Sequence, residues 1–169
     1  LYDQIPLVKD ITKAFGIPQF EASGYEADAI LATIVKNLAK KKEVRTLIAT
    51  GDFDTFQIVS PRTSILYPTK GFRGADIFAE KEMMEKYELT PAQVPDYKGL
   101  AGDHSDNIPG VYGIGEKGAK TLLNKYGSLE NIYAHLAEIN GAIHDKLEKG
   151  KADAFMSKEL ATLVDTVPI

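Results

Sequence analysis

Val44-Arg45-Thr46-Leu47-Ile48-Ala49-Thr50-Gly51-Asp52-Phe53-Asp54 is the stretch that decides the fold class. Val44 to Thr50 is short, largely apolar and stopped by Gly51-Asp52, which predicts a strand. Upstream, Ala27, Ile30, Leu31, Ile34, Val35 and Leu38 form one stripe at helical spacing, so a helix is expected from near Tyr25 to about Lys41. Lys40, Lys41 and Lys42 close it, where positive charge suits the C-terminal dipole. Helix followed by strand points to an α/β arrangement with a parallel sheet. Ligands of such sheets bind beyond the carboxyl ends of the strands, which is where Asp52-x-Asp54 stands.

Before this unit, Ile5, Val8, Ile11 and Phe15 predict a helix over 5–15, stopped by Gly16-Ile17-Pro18. After it come a short helix around Thr55 to Val59, a strand at Ser64 to Tyr67, a loop marked by Gly71 and Gly74, and a helix over Glu80 to Tyr87. No strand is expected from there to the end. Thr90 and Gln93 form a capping box with Pro91 at the first helical position. Asp103 to Gly115 reads as a loop punctuated by glycine and proline, and Glu116 to Tyr126 as helix. Ser128 caps Leu129 to Leu136, and further helices are expected over Ala142 to Leu147 and Lys151 to Leu163. The chain thus divides into an α/β part over 1–78 and an all-helical part over 79–169, with a helix–turn–helix unit at about 91–126.

The 169 residues are enough for one domain with a sizeable core. No apolar run approaches the ~18 residues needed to span a bilayer, so no membrane partner is expected. The absence of cysteine excludes disulfides and thiolate zinc sites and fits a reducing, cytoplasmic location. Leu1 to Gln4 read as the middle of an element, so the chain is expected to be a fragment. The net charge of −4 looks wrong for a nucleic-acid binder. Setting aside the six acids discussed next leaves 20 basic against 18 acidic residues, so total charge does not decide the question.

Those acids come in three pairs. Glu26-x-Asp28 opens the long helix, where Ser23-Gly24-Tyr25-Glu26 is also an adequate capping box. Asp52-x-Asp54 follows the strand, with turn aspartates as the plain alternative. Asp103-x-x-Asp106 lies on a polar loop. Hard cations such as magnesium take oxygen ligands, so paired carboxylates from separate elements suit them. Two such ions roughly 4 Å apart can serve an in-line phosphodiester displacement. Six carboxylates converging without a cation would repel one another.

Gly113-x-Gly115-x-x-Gly118 formally matches the dinucleotide fingerprint, but no strand precedes it, and Glu116 stands where a Walker lysine should follow the glycine. What remains is a Gly-Ile-Gly turn before a helix carrying Lys117, Lys120 and Lys125. Such a turn lets amides approach a phosphate and reads the backbone rather than the bases. A simple helix–helix turn with solvated lysines is the alternative.

Tyr25-Glu26-Ala27-Asp28, Thr50-Gly51-Asp52-Phe53-Asp54, Gly102-Asp103-His104-Ser105-Asp106-Asn107-Ile108-Pro109-Gly110-Val111 and Gly113-Ile114-Gly115-Glu116-Lys117 occur in this order. On these motifs, from Ile5 to Pro168, the chain closely resembles the 5′ nuclease domains of bacterial DNA polymerase I and their flap-endonuclease relatives. The resemblance implies the later part of an α/β (PIN-like) nuclease core followed by a helix-three-turn-helix region. It implies that Glu26, Asp28, Asp52, Asp54, Asp103 and Asp106 bind two or more Mg2+ or Mn2+ ions, with Asp28, Asp52 and Asp54 at the chemistry. It also implies that Gly113, Ile114, Gly115, Lys117 and Lys120 hold duplex DNA, with K+ at the Gly113-Ile114-Gly115 loop. The implied reaction is 5′–3′ exonucleolytic or flap cleavage in primer removal and repair, in a parent chain that can carry a polymerase domain.

Three departures accompany the resemblance. Ala29 stands where a second aspartate is usual, and Phe53 where a lysine is common. The family's first strand, with its metal-binding aspartate, and its helical arch fall before Leu1, so little or no cleavage is expected of these residues alone. Two other readings remain open. One is a phosphatase-like hydrolase with Asp52 as nucleophile and Asp54 as acid–base, although Phe56 occupies the position where that pattern wants threonine or valine. The other is a non-catalytic DNA-binding module.

Overall fold

The computed structural model describes residues 2–69 and 74–169; Gly71, named above as a loop marker, lies outside them. Helix α1 spans Ile5–Ala14 and α2 spans Ala27–Leu38. Strand β1 (Thr46–Ala49) is shorter than the apolar run that announces it. A 3₁₀ segment, Phe53–Ile58, takes the place of the short helix expected there. Strand β2 is Thr63–Pro68 and β3 is Ala75–Phe78. The helical part follows as α3 (Glu80–Tyr87), α4 (Val94–Ala101), α5 (Glu116–Tyr126), α6 (Leu129–Ala134), α7 (Ala142–Lys149) and α8 (Lys151–Ala161). No described helix is long and apolar enough to cross a membrane.

The sheet has the order β1-β2-β3. Strands β1 and β2 run parallel, Thr46 beside Thr63, as the helix–strand order implied. Strand β3 is antiparallel to β2, which makes the sheet mixed rather than purely parallel. Ala75-Asp76-Ile77-Phe78 gave no strand signal because only Phe78 of the four is buried.

Two large cores carry the structure, beside a small cluster of Ala29, Ile30 and Val167. Val35, Ile48, Phe56, Val59, Ile65, Phe78, Met83 and Val94 fill the space between sheet and helices. Met83 lies on α3, so the first helix after the sheet packs with the sheet. Leu89, Leu100, Val111, Ile114, Leu122, Leu123, Leu129, Ile132 and Leu147 fill the helical part. Tyr87 touches both clusters and joins them. Helix α4 lies so close to α8 that a Cβ on Gly99 would stand 2.9 Å from the Ala154 carbonyl oxygen.

Local chemistry fixes the joints. Gln93 Oε1 accepts from the Thr90 amide, completing the expected capping box. Its Nε2 donates to the Leu123 and Gly127 carbonyls, tying the start of α4 to the end of α5. Ser128 caps α6 through the Asn131 amide. Beyond α8 the chain returns to the α/β part: Gln57 exchanges hydrogen bonds with Ala161 and Leu163, and the Val167 amide donates to Thr33. The stripe of α1 behaves differently, since Ile5, Val8, Ile11 and Phe15 are all exposed. Periodicity identified that helix but not its burial.

Candidate metal and phosphate site

Strand β1 delivers its acids as the sheet geometry demands. Thr50 Oγ1 accepts from the Asp52 amide, and Asp52 Oδ1 accepts from the Asp54 amide at 2.9 Å. Asp52 thereby caps the 3₁₀ segment and stays exposed, while Asp54 is buried. Asp52 thus fills the turn-aspartate role, and that capping bond uses one carboxylate oxygen.

Glu26 occupies the N-cap position of α2 but its side chain caps no amide, while Asp28 Oδ1 accepts from the first-turn Ala29 amide at 2.7 Å. The capping box expected between Ser23 and Glu26 therefore does not form, and Glu26 is exposed to the cleft beside Asp28. Ala29 is buried against Ile30 and Val167, and its side chain carries no oxygen.

The third pair is placed by a close backbone approach. Asp103 and Ile108 exchange two 2.8 Å hydrogen bonds that pinch off the loop carrying Ser105 and Asp106. Gly102 and Gly110, both at positive φ, meet beneath it; a Cβ on Gly110 would lie 2.2 Å from the Gly102 nitrogen. The Gly110 amide donates to the fully buried Ser157 hydroxyl of α8.

A lysine absent from the sequence reading joins these pieces. Lys98 on α4 is only 3% exposed. Its Nζ pairs with Asp54 Oδ1, lies 2.6 Å from Asp103 Oδ2 and 3.5 Å from Asp106 Oδ2. A lone cation within the short apolar helix Val94–Ala101 was the available signal.

The acids line two adjoining clefts of about 440 Å³ each. One is bordered by Glu26, Asp28, Asp52, Asp54 and Asp106, with Leu160 to Val164 as its far wall. The other is bordered by Asp52, Asp106, Asp103 and Lys98. All six acids thus face connected space. Among the described residues no three acid or histidine side chains come close enough to hold a metal ion. The donor set nonetheless suits a hard divalent ion: every group is an oxygen, and a buried ammonium already answers the negative charge.

The electrostatics separate two of the acids. Burial pushes the Asp54 carboxyl above its ordinary value; Lys98 opposes this, and Asp52 and Asp106 add to it. Burial also acts against ionisation of Asp103, but Lys98 and Ser105 outweigh it and hold its carboxyl at about 2. For Lys98 the pull of Asp103 and Asp54 outweighs burial, so its pKa is raised and it remains charged.

The glycine turn lies one loop further on. Gly113 adopts φ +78°, and Gly115 opens α5 without a side-chain cap, leaving first-turn amides available. Ile114 is buried in the helical core, and its amide donates to the Val111 carbonyl. Lys117 is exposed. Lys120 is not on a solvated face: it pairs with Glu116 at 2.6 Å and lines a pocket with Phe53, Tyr97 and Lys98. Phe53, in place of the common lysine, stacks on Phe56 at 5.0 Å and meets Tyr87 and Tyr97 edge-on.

Two family models cover the chain. One, "5′-3′ exonuclease, N-terminal resolvase-like domain", matches residues 1–88, and the other, "5′-3′ exonuclease, C-terminal SAM fold", matches residues 89–169. The chain belongs to the 5′-3′ exonuclease family. This 5′-3′ exonuclease chain is 46% identical over 168 residues to DNA polymerase I of Caldicellulosiruptor bescii and 39% identical over 170 residues to DNA polymerase I of Bacillus subtilis. The alignments take in 98% and 100% of the chain but only 20% and 19% of those relatives, so it spans about a fifth of their length. Its fold is that of bacteriophage T5 5′-exonuclease with bound zinc: TM-score 0.80 at 24% identity, over 93% of this chain and 58% of that one. A T5 flap endonuclease solved with DNA and metal ions gives 0.83 at 22% identity, over 96% and 58%.

Proposed function

We propose that the chain forms part of a divalent-metal-dependent 5′ nuclease that cleaves DNA at 5′ flaps and 5′ ends during primer removal and repair. One observation carries the reading. Acids from the end of β1 and from the loop after α4 meet around Lys98, and the same loop leads directly into the glycine turn. The loop that carries Asp103 and Asp106 thus runs straight on into the turn read as the phosphate grip. The exonuclease family models and the DNA-bound flap endonuclease of the same fold support it. The length of the polymerase relatives supports a polymerase domain in the parent chain.

In this reading Glu26, Asp28, Asp52, Asp54, Asp103 and Asp106 hold the ions. Magnesium or manganese, two per site, would supply an activated water and neutralise the phosphate oxygens. The chain's own groups orient. Asp52, anchored through one oxygen by the Asp54 amide, offers the other to the cleft. Lys98 keeps Asp54 and Asp103 from repelling one another. Amides at the start of α5, with Lys117, hold a duplex phosphate. The potassium ion expected at this turn does not fit as well, because Gly113 already gives its carbonyl to Lys146. The phosphatase-like reading loses ground, since Asp54 is committed to Lys98.

The test is cleavage of a 5′-flap duplex in manganese by this chain and by the intact protein that contains it, each native and as Asp52→Asn/Asp54→Asn. The intact protein is expected to lose at least about a hundredfold in rate on substitution, and the chain alone to cleave slowly if at all. Undiminished cleavage by the double variant would overturn the proposal.

A further inference from the structure

The glycine turn holds a contact that crosses 33 residues of sequence. Lys146 Nζ on α7 donates to the Gly113 carbonyl at 2.8 Å. Its stem runs across the Gly113 Cα: an added Cβ there would meet Cε at 2.9 Å and Nζ at 3.1 Å. Helix α7 is held against the turn by neighbouring packing. Leu147 is fully buried in the cluster that also contains Val111 and Ile114. A Cβ on Gly150 would stand 2.8 Å from Val111 Cγ1. The ammonium is thus fixed to a backbone carbonyl, on a half-buried side chain, at the turn that opens α5.

Given the reading of this turn as a phosphate grip, we infer that Lys146 is its built-in cation, a positioning residue that does the work of a bound monovalent ion. Two physical effects follow from the geometry. Holding the Gly113 carbonyl keeps that negative dipole turned from exposed Gly115 and the uncapped start of α5, while the Ile114 amide donates to the Val111 carbonyl within the same turn. The ammonium also leaves a full positive charge at the turn that opens α5, where an incoming phosphate would meet it as a charge-assisted partner. Gly113 is needed for a second reason beyond its φ, since any side chain would displace the lysine. Duplex binding by this chain is therefore independent of potassium.

The test uses the chain as it stands, native and as Lys146→Met and Lys146→Arg, with thermal unfolding as the check on folding. Hydrogen exchange without DNA reads the clamp. The Ile114 amide, which donates to the Val111 carbonyl across the clamped turn, is expected to exchange about tenfold faster in Lys146→Met and near the native rate in Lys146→Arg, with α8 amides unchanged. Unchanged exchange in Lys146→Met overturns the clamp whether or not DNA binds. Anisotropy with a labelled hairpin duplex, in potassium and in lithium chloride at equal ionic strength, reads the cation role. The native chain is expected to bind equally in both salts. Lys146→Met is expected to bind about tenfold more weakly, with the salt slope reduced by about one, and to recover part of the loss in potassium only. A native chain that needs potassium contradicts the inference. A clamp confirmed by exchange in a chain that binds no duplex in either salt would overturn the phosphate reading instead, and the cation role with it.

Discussion

Lys98 Nζ lies 2.6 Å from Asp103 Oδ2, and the same buried ammonium pairs with Asp54 from the opposite wall of the cleft. One helix, α4, thus supplies the counter-ion for acids delivered by a distant strand end and by the loop that follows the helix itself. Removing one partner of a buried ion pair costs more than the pair itself contributes, because the remaining charges keep their burial without compensation.

Lys98→Met is expected to destabilise the fold by about 3 kcal/mol. Divalent ions should return part of that loss, since they supply the missing positive charge. Thermal unfolding with and without millimolar manganese checks this: a larger manganese-induced rise in the variant than in the native chain is the expected result.

Lys158→Met separates stability from the site. Lys158 lies 2.6 Å from the buried Asp96 and 2.7 Å from Glu130, binding α8 to α4 and α6 away from the acids. The substitution is expected to lower stability by about 3 kcal/mol, with no enlarged response to manganese. The same melting series run beside Lys98→Met reads the difference.

Asp103 gives a pH signature. Its folded carboxyl sits at about 2 against an ordinary 3.8, so it contributes stability above pH 3.8 that is lost as pH falls from there to about 2. Asp103→Asn is therefore expected to be less stable than native at pH 6, on the order of 1 kcal/mol after solvent screening. That deficit should shrink between pH 4 and 2. Denaturant titrations at pH 6, 4, 3 and 2 follow it.

Gly110→Ala tests how the Asp103–Asp106 loop is placed. The new methyl would overlap the Gly102 nitrogen, so the two backbones must separate and the Asp103–Ile108 hydrogen bonds must strain. A loss of 3 kcal/mol or more, at about the upper range of single substitutions, is expected in chemical denaturation, with weaker manganese binding where the variant folds.

What the sequence revealed follows from how far each signal reaches along the chain. Strand β1 and the Asp52–Asp54 turn, the Thr90–Gln93 cap and the Ser128 cap are each specified within a few residues, and each was legible. Strand β3 was not, because its identity lies in pairing with β2 rather than in its own half-exposed residues. Glu26 looked like a capping residue because spacing cannot show where a helix begins; the helix starts at Ala27, and the Glu26 side chain caps no amide. Lys98 and Lys146 escaped for the same reason as each other. A buried or clamped lysine is defined by partners 5 to 44 residues away, and its letter is that of any surface lysine.

The central claim is that acids from separate elements form one divalent-ion site. Calorimetric titration of manganese into the native chain, beside Asp52→Asn/Asp54→Asn, tests it most directly. Binding by the native chain that disappears in the double variant is the predicted result. Equal binding by the two proteins would contradict the account, because the ions would then be held elsewhere.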